Sequence, residues 1–252
     1  MQFSDDALPP VVTCARCRKP ECSGCEPAPA QVDVASIAWE GSLGFSKRLW
    51  KTSLDTSTDP ETTFGHLCDG KLTSAIAFAV IAEALAIGSL ALFALLAACT
   101  WAPSFVHTVL IDSEARWLGV AAFLAAVAAL VAMHAVWGLC LEAGAALGRS
   151  QPRWRLGVRF GLYACGWDLL TSPAGIVHGL VTRGPKRALG PIGNATRAAR
   201  PAMHAYMVRN RKFDAPTRRR STVIAWSVLG TVLLLVSIGA LTFAIRVAIG
   251  RG

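Results

Sequence analysis

Three long apolar runs, separated by polar stretches, set the pattern of this chain. The first, residues 72–100, is about 28 residues of mostly Ala, Leu, Ile, Phe and Val, with one charge, Glu83, near its middle. At ~1.5 Å per residue it is long enough to cross a ~30 Å hydrocarbon core with some tilt. The second covers residues 118–139 and continues as a helical pattern towards Leu147, with Trp117 and Trp137 near its ends. The third covers residues 221–249, and Arg246 lies near enough to its end to snorkel. Trp101 closes the first run as an interfacial aromatic. The pattern predicts an all-α, polytopic helical membrane bundle with three spans.

A fourth segment, residues 157–182, is long enough to cross but carries Arg159, Asp168, Pro173 and His178. Two readings follow: a true span, or a re-entrant or interfacial helical hairpin bent near Pro173. The hairpin keeps the following basic stretch inside, as the positive-inside rule favours. Asp168 would pair with Arg159 or His178. Ahead of the first span, Phe45, Leu49 and Trp50 alternate with Lys47, Arg48 and Lys51 at helical spacing. That pattern fits a short interfacial helix; the alternative is a cytoplasmic helix packed on the bundle. Pro60 starts a second short helix, with Phe64 and Leu67 on its apolar side.

Composition sharpens this picture. With 53% hydrophobic and 16% charged residues, the chain lacks the ~25% charge of soluble domains. The charge is also uneven. Residues 1–72 hold seven Lys/Arg and ten Asp/Glu, whereas residues 183–220 hold eleven Lys/Arg and one acid, Asp214. The short segment between the first two spans is poor in cations, and Arg149, Arg153, Arg155 and Arg159 follow the second span. The N-terminus is therefore expected in the cytoplasm of a multi-pass protein of the bacterial inner (plasma) membrane. The polar first 40 residues contain no signal-peptide core, so the first span would act as its own insertion signal.

The polar head has its own chemistry. Residues 14–25 read C-x2-C-x4-C-x2-C, with Cys14, Cys17, Cys22 and Cys25. Two C-x2-C turns each aim two thiolates at one point, which suits tetrahedral, structural Zn²⁺. Idle thiols and a redox pair are the other readings of such cysteines. The domain division is a zinc knuckle (1–26), a linker with amphipathic helices (27–71) and a transmembrane domain (72–252) with a basic cytoplasmic loop at 183–220. In that loop Arg209, Arg211, Lys212, Arg218, Arg219 and Arg220 would meet anionic headgroups, each cation contributing roughly 1 kcal/mol. Nucleic acid is not expected as a partner, since a loop tethered to two apolar segments is explained by lipid and topology.

Two resemblances bear on these stretches. The cysteine segment resembles one half of a prokaryotic B-box-type zinc finger, without the upstream Cys/His pair. Phe45, Leu49, Pro60, Phe64, Leu67, Gly70 and Ala75 are similar to the motif before the first helix of the bacterial branch of the Yip (Ypt-interacting) membrane-domain family. VRFGLYAC at 158–165, with TSP further on, resembles the start of that family's third helix. The resemblance spans roughly residues 40–182. It implies a non-enzymatic membrane protein that binds partners or shapes membranes, and a five-span bundle; here 183–220 reads as a polar loop where a fourth helix would lie.

Glu83 and His134 are the ionisable residues inside the first two spans. Counted along antiparallel helices, both fall cytoplasmic of the midpoint and within one or two turns of each other in depth. They form a candidate pair: a proton relay, an ion site, or a polar clasp between helices. The chain has no G-x-S-x-G, Walker A or H-E-x-x-H motif, so no enzyme is expected. The sequence thus points to a membrane scaffold or adaptor that binds anionic lipid and a cytoplasmic protein, in membrane organisation, with homo-oligomerisation open. The rival is a small proton- or ion-coupled transporter or channel built on Glu83 and His134.

Overall fold

Among the described residues, four of the helix junctions are set by a proline at the first helical position, where a missing N–H costs nothing. In the computed structural model, which describes residues 37–148 and 150–249, α1 (Phe45–Thr58) gives way to α2 (Pro60–Gly65) at Asp59, whose carboxylate caps the Thr62 N–H. α3 (Leu72–Trp101) hands over to α4 (Pro103–Ile111), and α5 (Ser113–Leu147) returns. α6 (Trp154–Thr171) stops at Ser172, whose hydroxyl caps α7 (Pro173–Arg183). Gly184, at φ 75°, supplies the left-handed turn that lets α8 (Pro185–Ala195) start at Pro185. After α9 (Ala199–Ala205) comes a π-helical turn, Tyr206–Asn210, and then α10 (Ala215–Ile249). The described residues are mainly helical, with no strand.

α6 is the axis of the assembly. Thirteen of its residues are buried, from Leu156 to Leu170. It runs antiparallel to α5 and parallel to α3. On the first side His134 meets Asp168 while Glu142 meets Gly157; on the second Gly70 meets Arg159 and Phe78 meets Tyr163. The α5–α6 approach is backbone on backbone. A methyl built on Gly138 would lie 2.0 Å from the Gly157 carbonyl oxygen, and one on Gly161 would lie 1.9 Å from that of His134. α9 packs against α2, and the π turn after it sets the Tyr206 ring against Phe160 of α6, 4.7 Å between centroids. α10 crosses back along α5, with Ser221 Oγ donating to the Leu141 carbonyl and Trp226 against Trp137. α1 adds a further wall, and the Trp167 indole N–H donates to the Thr56 carbonyl.

Burial divides the long helices. The buried residues of α3 all lie between Ala75 and Ala86, and those of α5 between Val127 and Ala145. Past those points the surface is apolar and uncovered: Leu90, Phe93 and Leu96 on α3, and Leu118 and Leu124 on α5, are 58–72% exposed. Both helices are long and apolar enough to cross a membrane, with mean hydropathies of 2.3 and 2.2 over their most apolar windows. Only 22% and 11% of those windows is buried, so they are not the core helices of a soluble fold. A contiguous apolar surface of this size on a folded chain marks contact with lipid or another protein.

Three expectations change. The basic stretch 183–220 is not a polar loop: apart from short links it folds into α8, α9, the π turn and the start of α10. Its apolar residues drive this, since Ala195, Ala198, Ala202, Met203, Tyr206 and Met207 all enter the core. Asp168 pairs with neither Arg159 nor His178. Arg159 instead turns to Glu40, and His178 stacks on Trp50 at 3.9 Å. Of the two readings of α1 and α2, packing on the bundle prevails for Leu49, Phe64 and Leu67, which are buried, while Phe45 stays exposed. Residues 157–182 do break at Pro173, into the buried α6 and the half-exposed α7. The cysteine segment, 14–25, lies outside the described residues.

Candidate functional site

Where α6 ends, three helices bring their ionisable side chains together. His134 on α5 donates from Nε2 to Asp168 Oδ2 of α6 at 2.7 Å, and the same nitrogen lies 3.6 Å from Glu83 Oε1 of α3. Glu83 is fully buried, and neither of its carboxylate oxygens has a hydrogen-bond partner. Cys165, one turn before Asp168 on α6, is also fully buried. The ligand atoms of Glu83, His134 and Cys165 all lie within 4.8 Å of one another, a spacing that can hold a metal ion. Among the described residues no Lys or Arg is ion-paired with this group. Asp168 is the open edge, with its side chain 42% exposed. Tryptophans frame the site: Trp137 lies 5.8 Å from Trp167 and 6.5 Å from Trp226.

A second polar centre holds the far end of α6. Glu142 is fully buried on α5 and accepts from Arg211 Nε at 2.8 Å and Nη2 at 3.0 Å, from the Tyr206 hydroxyl, and from the Arg153 backbone N–H at 2.7 Å. The π turn brings Tyr206 and Arg211 to the same carboxylate, its extra residue being closed by the Arg211 N–H donating to the Tyr206 carbonyl. Burial and the Glu142 charge push the Tyr206 phenol well above its ordinary range. With every lone pair engaged, this centre fastens α5 to the π turn, and it has no vacancy for a ligand.

This accounts for two of the cations assigned to lipid. Arg211 is consumed by Glu142, and its side chain is only 9% exposed. Arg209 bridges to Glu61 of α2 at 2.8 Å. Arg220 donates to the Leu147 carbonyl at 3.3 Å, while Lys212, at φ 51°, forms the turn before α10. Arg218 and Arg219 stand on the first turns of α10. Of the six, Arg211 is thus largely withdrawn from the surface.

A different cationic surface emerges between α1, α7 and α8. It is a groove of about 470 Å³ with Trp50, Leu54, Leu170 and Ile192 on its apolar walls and Lys47, Lys51 and Arg183 on its rim. Lys51 is engaged by Asp55 at 3.0 Å; among the described residues Lys47 and Arg183 have no ion-pair partner. Burial and the nearby Arg183 hold the His178 imidazole below its usual range, so the ring that stacks on Trp50 stays neutral at pH 7.

Sequence reasoning brings Glu83 and His134 to similar depth, yet it omits Asp168 and Cys165 from their company. Cys165 and Asp168, at i and i+3, share one helix face, but nothing local sets that face against Glu83 and His134. The groove combines residues 43–55 with 170–192, and no local pattern announces that pairing. No family model matches this chain, and neither a curated protein nor a solved structure matches it.

Proposed function

We propose that this chain is a membrane-anchored scaffold whose helical layer lies against the inner leaflet and grips anionic lipid in the α1–α7–α8 groove. The single observation that carries this reading is the groove itself: a cationic rim above apolar walls, at the level where the long helices change from covered to uncovered. Depth supports it. Trp117, 74% exposed, marks the outer end of α5, and His134 lies 17 residues further along, or ~26 Å. Glu83 lies 18 residues below Trp101, or ~27 Å, so the Glu83–His134 group sits at the inner boundary of the bilayer instead of near its middle. Leu170, on the groove wall, is two residues beyond Asp168. An inner-leaflet phosphate would meet Lys47 and Arg183 there while an acyl chain follows Trp50 and Leu170. The uncovered ends of α3 and α5, with α10 as the third span, anchor the layer, and the cysteine-rich head, holding zinc, is the segment offered to a cytoplasmic protein.

The test is binding of full-length protein in neutral detergent micelles to phosphatidylglycerol against phosphatidylcholine. At about 1 kcal/mol per cation, Lys47→Glu with Lys51→Glu and Arg183→Glu lowers the phosphatidylglycerol affinity on the order of 100-fold. Reversing Arg218, Arg219 and Arg220 has the smaller effect. If the latter variant loses binding and the groove variant keeps it, the groove assignment fails.

A further inference from the structure

We infer that Glu83, His134, Cys165 and Asp168 form a binding site for one divalent transition-metal ion of the zinc class, at the junction of α3, α5 and α6. The site is separate from the cysteine-rich head and does not depend on the lipid reading.

Four observations converge on it. First, three donors lie close together: nitrogen, sulfur and carboxylate oxygen, with the His134, Cys165 and Glu83 atoms all within 4.8 Å of one another. Second, the 3.6 Å between His134 Nε2 and Glu83 Oε1 is too long for a hydrogen bond. It is close to the ~3.4 Å edge of a tetrahedron with metal–ligand distances of about 2.1 Å. Third, Glu83 is fully buried with both oxygens unpartnered, a costly arrangement that a bound cation would relieve. Fourth, α6 ends one turn beyond Asp168, so the negative end of its dipole faces the cluster and favours a cation there.

The donor set selects the ion. Imidazole and thiolate beside carboxylate suit zinc and its neighbours; Mg²⁺ and Ca²⁺ prefer all-oxygen sites. On binding, Cys165 gives up its thiol proton. His134 carries its ring proton on Nδ1 and presents its Nε2 lone pair in place of the N–H that otherwise donates to Asp168, and the Asp168 carboxylate, freed from that bond, would turn to the fourth position. Because ligands must lose protons, affinity falls as the pH is lowered. The bound ion would fasten the three helices at the point where the covered and uncovered parts of the molecule meet.

Co²⁺ is the probe, because its visible spectrum reports thiolate ligation. The protein is the full-length chain with Cys14, Cys17, Cys22 and Cys25 changed to Ser, which removes the head's own thiolates. It should take up one Co²⁺ per chain with a thiolate-to-metal charge-transfer band. Cys165→Ser, nearly isosteric, should abolish the band while helicity and elution volume stay unchanged. Glu83→Gln and His134→Ala should each weaken binding by more than about 100-fold, beyond the 10–100-fold that losing an outer-shell partner costs. Absence of stoichiometric Co²⁺ overturns the site, and so does a band that survives Cys165→Ser or an affinity unmoved by Glu83→Gln.

Discussion

A single methyl group at Gly138 is expected to separate α5 from α6 and to destabilise the protein by about 3 kcal/mol or more. The Cβ of Gly138→Ala would sit 2.0 Å from the Gly157 carbonyl oxygen and 3.0 Å from the Gly161 backbone nitrogen. Neither atom belongs to a side chain that can swing aside, so one helix has to move. Overpacking ordinarily costs 1–3 kcal/mol when side chains absorb it; here a backbone pair that also sets the Glu83–His134–Asp168 geometry must open. Gly119→Ala is the control on the same helix, because an added methyl there meets nothing within 4 Å. It should leave stability unchanged or raise it by a few tenths of a kcal/mol, since Ala outranks Gly in a helix. Thermal unfolding of the two variants in detergent micelles, followed by loss of monodisperse protein, checks both. Equal midpoints for the two would refute the close α5–α6 approach.

The second large effect is at Glu142. Removing Arg211 leaves a fully buried carboxylate with a phenol and one backbone N–H for company. Breaking a buried pair from one side costs about 3–5 kcal/mol, because the remaining charge is uncompensated. Arg211→Ala should therefore loosen the π turn from α5, while Glu142→Gln with Arg211→Met, which removes both charges, should cost distinctly less than the sum of its parts. A double-mutant cycle on unfolding free energy measures that coupling. Additive single effects would show that the two groups do not depend on each other. Arg209→Ala, at an ion pair more than half exposed on both sides, should fall within the ordinary range of surface pairs, up to about 1 kcal/mol.

The contrast between Arg209 and Arg211 explains what a sequence can and cannot disclose here. Both stand in a run that is basic by composition, and composition alone assigns them to the same surface. Only the fold reveals that Glu142, 69 positions earlier, is waiting for one of them. The helix breaks at Pro60 and Pro173 are legible because a proline restricts the backbone locally, whatever the rest of the chain does. The approach of Glu83 to His134 is legible from counting residues along two antiparallel helices. The arrival of Asp168 beside them is not, because it depends on α6 ascending to that height and stopping. The basic stretch 183–220 misleads for a related reason: its charges dominate its mean hydropathy, while Ala195, Ala198, Ala202, Met203 and Tyr206 form the buried stripe that folds it. The part played by Gly138, Gly157 and Gly161 becomes visible only when α5 and α6 are seen in contact.

The measurement that bears most directly on the whole account is the accessibility of spin labels placed one at a time on a cysteine-free background in anionic liposomes. Labels at Leu96 on α3 and Leu124 on α5 should collide freely with oxygen and hardly at all with a water-soluble nickel chelate, as lipid-facing sites do. A label at Lys47 on the groove rim should show the reverse, and one at Ala164, fully buried in α6, should be shielded from both. Ready access of the nickel chelate to Leu96 and Leu124 would contradict an anchor in the bilayer, and with it the placement of the groove and the Glu83–His134 group at the inner boundary.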